Sequence, residues 1–138
     1  MAIDPSIPVL VVDDNTTTIR IIRRLLLQLG FVNVDDACDG AAALAKMHVK
    51  HYGLVISDWN MAPMTGYELL NAVRGDPRLM RTPFIMVTAE SKVENVVAAS
   101  KAHVSNYILK PFDAKMLKAK IDAVSTATAE RPPLRGGI

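Results

Sequence analysis

The sequence predicts an α/β domain: a doubly wound parallel sheet of five strands flanked by five helices. Three observations predict it. Short apolar runs recur at Val9–Val12, Leu54–Ile56 and Phe84–Val87, with weaker ones around Val32 to Val34 and at Tyr107–Leu109. The runs are continuous rather than alternating, the pattern of strands covered on both faces. Helical periodicity fills the intervals between them, so β and α alternate five times, and right-handed crossovers then place helices on both sides of one sheet.

The elements follow in order. After the first run, Ile19, Ile22, Leu26 and Leu29 fall on one helical face, Arg20, Arg23 and Arg24 lie off it, and Gly30 stops the helix, which is predicted over Thr17 to Leu29. Further helices are predicted at about 40 to 50, 66 to 74, 92 to 102 and 113 to 126, with Asp39, Thr65, Ser91 and Asp113 as caps. Arg131 to Ile138, with its Pro-Pro and Gly-Gly pairs, reads as a loose tail, giving one domain over 1–127 and a flexible C-terminal tail over 128–138.

Composition narrows the function classes. At 138 residues, half of them hydrophobic and 22% charged, the chain is long enough for one domain with one core. No apolar run approaches the roughly 20 residues that span a bilayer, and the first residues lack the layout of a secretory signal, so a cytoplasmic protein without a membrane partner is expected. A net charge of +2, with basic residues spread over several helices, does not indicate nucleic-acid binding. Cys38 is the only cysteine and is expected to be a small buried thiol. His48, His51 and His103 form no metal-ligand pattern, and His48 and His51 are expected as solvated residues near a helix end.

In doubly wound sheets, ligands bind outside the carboxyl ends of the strands. The residues that end the clearest runs are Asp13 and Asp14, Asp58, Thr88 and Lys110. Singly, each has an ordinary reading: Asp13, Asp14 or Asn15 as a cap of the first helix, Asp58 as a turn residue, Thr88 as a cap, Lys110 as a solvated side chain. Together they converge on one edge. Three close carboxylates need raised pKa values or a cation, and an oxygen-only donor set with water suits Mg²⁺. The backbone carbonyl of Asn60, two residues beyond Asp58, is expected as a further ligand from the loop. A carboxylate beside Mg²⁺, an ammonium and a hydroxyl suits phosphoryl transfer, with Asp58 as nucleophile and Lys110 and Thr88 stabilising phosphoryl oxygens.

The motifs Val11-Val12-Asp13-Asp14, Ser57-Asp58-Trp59-Asn60-Met61, Val87-Thr88-Ala89-Glu90 and Tyr107-Ile108-Leu109-Lys110-Pro111-Phe112 resemble those of response-regulator receiver domains, most closely the single-domain chemotaxis (CheY-like) type. The resemblance runs from about Pro8 to Val124. It implies a flavodoxin-like sheet of order 2-1-3-4-5. It implies that Asp13, Asp14, Asp58 and the Asn60 carbonyl bind Mg²⁺ and that Asp58 accepts phosphoryl from a sensor histidine kinase. It also implies that Lys110 contacts the phosphoryl group and that Thr88 and Tyr107 form a switch pair altering the face of the fourth helix, fifth strand and fifth helix. By the same resemblance, Asn60, Ala89 and Glu90 are expected to tune the lifetime of the phosphorylated state, Ala89 by leaving the site open.

The resemblance further implies a cis Lys110-Pro111 bond. Pro63 falls one place later than the family pattern has it, and His103 stands where a glycine is common. The implied partners are a chemotaxis-type kinase, a flagellar motor switch protein or another protein target, and a phosphatase. The expected protein is thus a signalling phosphoacceptor that catalyses only its own phosphorylation and dephosphorylation. About a dozen residues after Val124 are too few for an effector module. The alternatives are a phosphate sink or phosphorelay intermediate and, from another class, a small aspartate-nucleophile phosphatase. Those enzymes space their first two aspartates one residue apart and carry a cap domain; here Asp13 and Asp14 are adjacent.

Overall fold

A computed structural model describes residues 5–89, 104–110 and 112–130. The elements are β1 (Val9–Val12), α1 (Thr16–Gln28), β2 (Val34–Ala37), α2 (Gly40–Val49), β3 (Leu54–Asp58), α3 (Gly66–Gly75), β4 (Phe84–Ala89), β5 (Asn106–Lys110) and α4 (Ala114–Glu130). All strand pairings are parallel and the sheet order is β2-β1-β3-β4-β5. Four helices stand among the described residues. The helix predicted at 92 to 102, its Ser91 cap, Glu90, His103 and Pro111 lie outside them. So does the tail from 131, while α4 runs to Glu130.

The continuous apolar strands are explained by two cores, one on each face of the sheet, rather than the single core expected. Alternate strand residues point to opposite faces. Val9, Val11, Ile56, Ile85, Val87 and Ile108 pack with Ile19, Ile22 and Leu26 of α1 and Leu117, Ile121 and Val124 of α4. Leu10, Val12, Val55, Phe84 and Met86 pack with Ala43 and Met47 of α2 and Leu69, Leu70 and Val73 of α3. Full burial of each large side chain contributes about 1.5–3 kcal/mol, so β1, β3 and β4 are the rigid centre from which the site is hung.

The helix starts follow the expected caps. Asn15 Oδ1 accepts from the backbone N–H groups of Thr17 and Thr18, Asp39 Oδ1 from Ala42, and Asp113 Oδ1 from Met116. Thr65 and Glu68 form a reciprocal capping box at α3. Gly30, with φ of +98°, ends α1 as its position predicted. In the β3–α3 loop the Ala62–Pro63 bond is cis.

Two further expectations are corrected. The second strand is not Val32 to Val34 but Val34–Ala37, which includes Asp35 and Asp36. An edge strand is only half covered, and both carboxylates find partners there: Asp35 with Lys50 and Tyr52, Asp36 with Arg23. Cys38 is exposed rather than buried. Ala37 is the last β2 residue turned into the core, so its successor points away from it before the Asp39 cap. His48 is exposed as expected, yet its Nε2 lies 3.3 Å from Asp76 Oδ2. No helix among the described residues is long and apolar enough to cross a membrane.

Candidate functional site

Parallel register builds the site. Val12 pairs with Ser57, so the next residues of the two strands, Asp13 and Asp58, stand side by side at the carboxyl edge. Asp58 pairs with Val87 and Ala89 with Lys110, which brings Thr88 and Lys110 to the same edge. Two backbone bonds extend the ladder: Asp13 N–H donates to the Ala37 carbonyl at 3.1 Å, and Trp59 N–H to the Val87 carbonyl at 2.9 Å.

Carboxylate oxygens of Asp13, Asp14 and Asp58 all lie within 4.8 Å of one another. Asp13 and Asp58 are buried, at 2% and 5% exposure, while Asp14 is open to solvent. Asp13 Oδ1 accepts the Asn15 N–H at 2.9 Å, but its buried Oδ2 has no hydrogen-bond partner. Burial raises the Asp13 carboxyl to about 6 against the Asn15 hydrogen bond; the Asp58 and Asp14 charges also raise it, and Lys110 lowers it. Lys110 Nζ lies 2.9 Å from Asp58 Oδ1, an ion-pair distance, and that oxygen takes part in no hydrogen bond.

This arrangement fits a divalent cation. Two buried carboxylate oxygens lack hydrogen bonds, three carboxylates repel at short range, and every donor is a hard oxygen. The same arrangement suits Asp58 to act as a nucleophile: its carboxylate is fixed at a strand end, beside one ammonium and opposite two further acidic groups.

The other expected residues are placed as follows. Thr88 is buried, at 2% exposure, near the end of β4. Tyr107 pairs with Met86, and its half-buried ring lies under the Lys120 ammonium of α4, 5.1 Å from the ring centroid. Asn60 is exposed in the β3–α3 loop. Ala89 closes β4 opposite Lys110, its side chain lying outside the described residues, as does Glu90.

Three features escaped sequence reasoning. Ser57 Oγ–H, fully buried, donates to the Asp58 main-chain carbonyl at 3.0 Å. Trp59 stacks on Tyr67 with centroids 5.2 Å apart and planes 17° from parallel. Gly66 opens α3 directly against the Asp58 carbonyl. Its one sequence signal is a poor helix former in the first helical position, just after a strong cap.

Residues 9–122 match the family model of the response regulator receiver domain. The chemotaxis protein CheY of Pseudomonas aeruginosa is 47% identical over 116 residues, covering 84% of this chain and 94% of that protein. Chemotaxis protein CheY-3 of Vibrio cholerae is 41% identical over 122 residues, covering 88% and 94%. The solved structure of chemotaxis response regulator CheY4 of Vibrio cholerae superposes with a TM-score of 0.79 at 32% identity, covering 86% of this chain and 98% of that one.

Proposed function

This chain belongs to the response regulator receiver family, and from that premise we propose that it is a single-domain response regulator of chemotaxis whose phosphoacceptor is Asp58. The observation that carries the reading is the strand-end cluster: Asp58, buried, beside Lys110 and within 4.8 Å of two more carboxylates.

Asp13, Asp14 and Asp58, with the Asn60 carbonyl, are the ligands we assign to Mg²⁺. When bound, the ion supplies the positive charge that lets three carboxylates share a site and neutralises phosphoryl oxygens. The chain's own groups do the rest. An Asp58 oxygen attacks phosphorus as the bond to the kinase histidine nitrogen breaks, and the imidazole leaves with the electron pair. Lys110, already ion-paired to Asp58, takes up charge on the transferred group, and Thr88 donates a hydrogen bond to it. The Asn15 N–H holds Asp13 through Oδ1, which leaves the unpartnered Oδ2 available to the site.

The output is a changed binding surface. New charge on Asp58 draws the Thr88 hydroxyl, and Tyr107 responds on the neighbouring strand. The face made by the predicted helix at 92 to 102, β5 and α4 then docks a flagellar motor switch protein or another protein target. We place the protein in the cytoplasm, with a sensor histidine kinase as donor and a phosphatase acting on the product. Family membership leaves the aspartate-nucleophile phosphatase without support.

The test follows Trp59 fluorescence, because Trp59 adjoins the acceptor. A change on adding Mg²⁺, then a second on adding acetyl phosphate, with one phosphoryl adduct in the intact mass, is expected. A chain that binds no Mg²⁺ and gains no adduct overturns the reading.

A further inference from the structure

The Asp58 main-chain oxygen is gripped from two sides. Ser57 Oγ–H donates to it at 3.0 Å, and Gly66 backs directly onto it. A Cβ on Gly66 would fall 2.1 Å from that oxygen and 3.0 Å from both the Asp58 carbonyl carbon and Met86 Sδ, against a practical limit of 3.0 Å. The main obstacle is backbone, which cannot rotate aside. Gly66 N–H also donates to the Trp59 carbonyl at 2.9 Å, so the same residue closes the loop that carries Asn60. Gly75, at the other end of the same helix, has nothing within 4 Å of where a Cβ would stand.

We infer that the main-chain carbonyl of Asp58 is the handle by which the fold aims its carboxylate, and that Gly66 and Ser57 are positioning residues for phosphoryl transfer. The inference rests on the receiver reading and deepens it. Any side chain at position 66 must move the Asp58 peptide or the start of α3 by about 1 Å, and a misplacement of that size costs a reaction on the order of 100-fold. Helix propensity by itself favours alanine over glycine, so a loss on substitution is the clash and not the helix.

The experiment measures phosphoryl uptake by intact mass at saturating Mg²⁺ and acetyl phosphate, with circular dichroism to establish the folded fraction. Gly66→Ala is expected to take up phosphoryl at least tenfold more slowly than the parent chain, Ser57→Ala several-fold more slowly, and Gly75→Ala at the parent rate. A merely structural defect would be repaired by a stabilising osmolyte; misaiming would not. A folded Gly66→Ala chain within twofold of the parent overturns the inference. If Gly66→Ala does not fold, unchanged uptake by Ser57→Ala overturns it instead. A parent chain that takes up nothing overturns the receiver reading, and the inference with it.

Discussion

At the carboxyl end of the sheet, Asp13 and Asp58 are buried with one oxygen each outside any hydrogen bond. At the amino end, Asp35 is half-exposed yet receives Tyr52 O–H at 2.6 Å and Lys50 Nζ at 3.0 Å. Arg74, near the end of α3, donates to the carbonyls of Met80 and Thr82 just before β4. His48 meets Asp76 beside the same helix end. Basic groups near helix carboxyl termini also answer the helix dipole. One edge spends its polar groups on holding the fold; at the other, beyond the Asn15 N–H on Asp13 and the Lys110 ammonium beside Asp58, two buried carboxylate oxygens make no hydrogen bond. An unsatisfied buried carboxylate is costly, and that cost is what a bound cation would relieve.

The strongest way to break this contrast is to remove the proposed acceptor, Asp58. Asp58→Asn is expected to lose phosphoryl labelling completely while keeping the fold; persistent labelling in the intact mass would move the acceptor elsewhere.

Asp13→Asn comes next. It should weaken Mg²⁺ binding by tenfold or more in a fluorescence titration, because it removes a charged donor. It should also stabilise the metal-free chain at neutral pH by on the order of 1 kcal/mol. The Asp13 carboxyl, raised on folding from 3.8 to about 6, contributes stability that is fully present below the lower value and lost as pH rises through the higher one. The metal-free parent should therefore melt lower at neutral pH than in mild acid, and the slope should shrink in the variant. An unchanged slope would assign the pH dependence to other groups.

The smallest expected effect lies at the opposite edge. Tyr52→Phe should cost about 1 kcal/mol of stability, the solvent-exposed side of Asp35 having screened part of the bond, and should leave phosphoryl uptake at the parent rate. Tyr52 is the main reason the Asp35 carboxyl lies below 3.8, with Lys50 second. Its stabilisation is present above that value and lost as pH falls through the lower folded one, so variant and parent melts should converge in acid. Reduced uptake by a folded Tyr52→Phe chain would show that the two edges are coupled.

Legibility followed the same division. Doubly covered strands must be apolar throughout, so β1, β3 and β4 announced themselves, and with them the residues that end each run. The second strand was misplaced because a half-covered edge tolerates Asp35 and Asp36 once Lys50, Tyr52 and Arg23 arrive from elsewhere in the chain. Cys38 was misjudged because residue type fixes a tendency to burial, whereas the pleat fixes the direction.

What the sequence determined by itself was periodicity: which segments are strands, which faces are apolar, and therefore which carboxylates stand at strand ends. Tertiary structure alone decided the distances. Register set Asp13 beside Asp58, burial raised the Asp13 carboxyl, Lys110 came within 2.9 Å of Asp58, and the packing of α3 left room at position 66 for no side chain at all. Patterns along a chain encode which groups turn inward, but close approach between segments depends on how whole layers seat against each other.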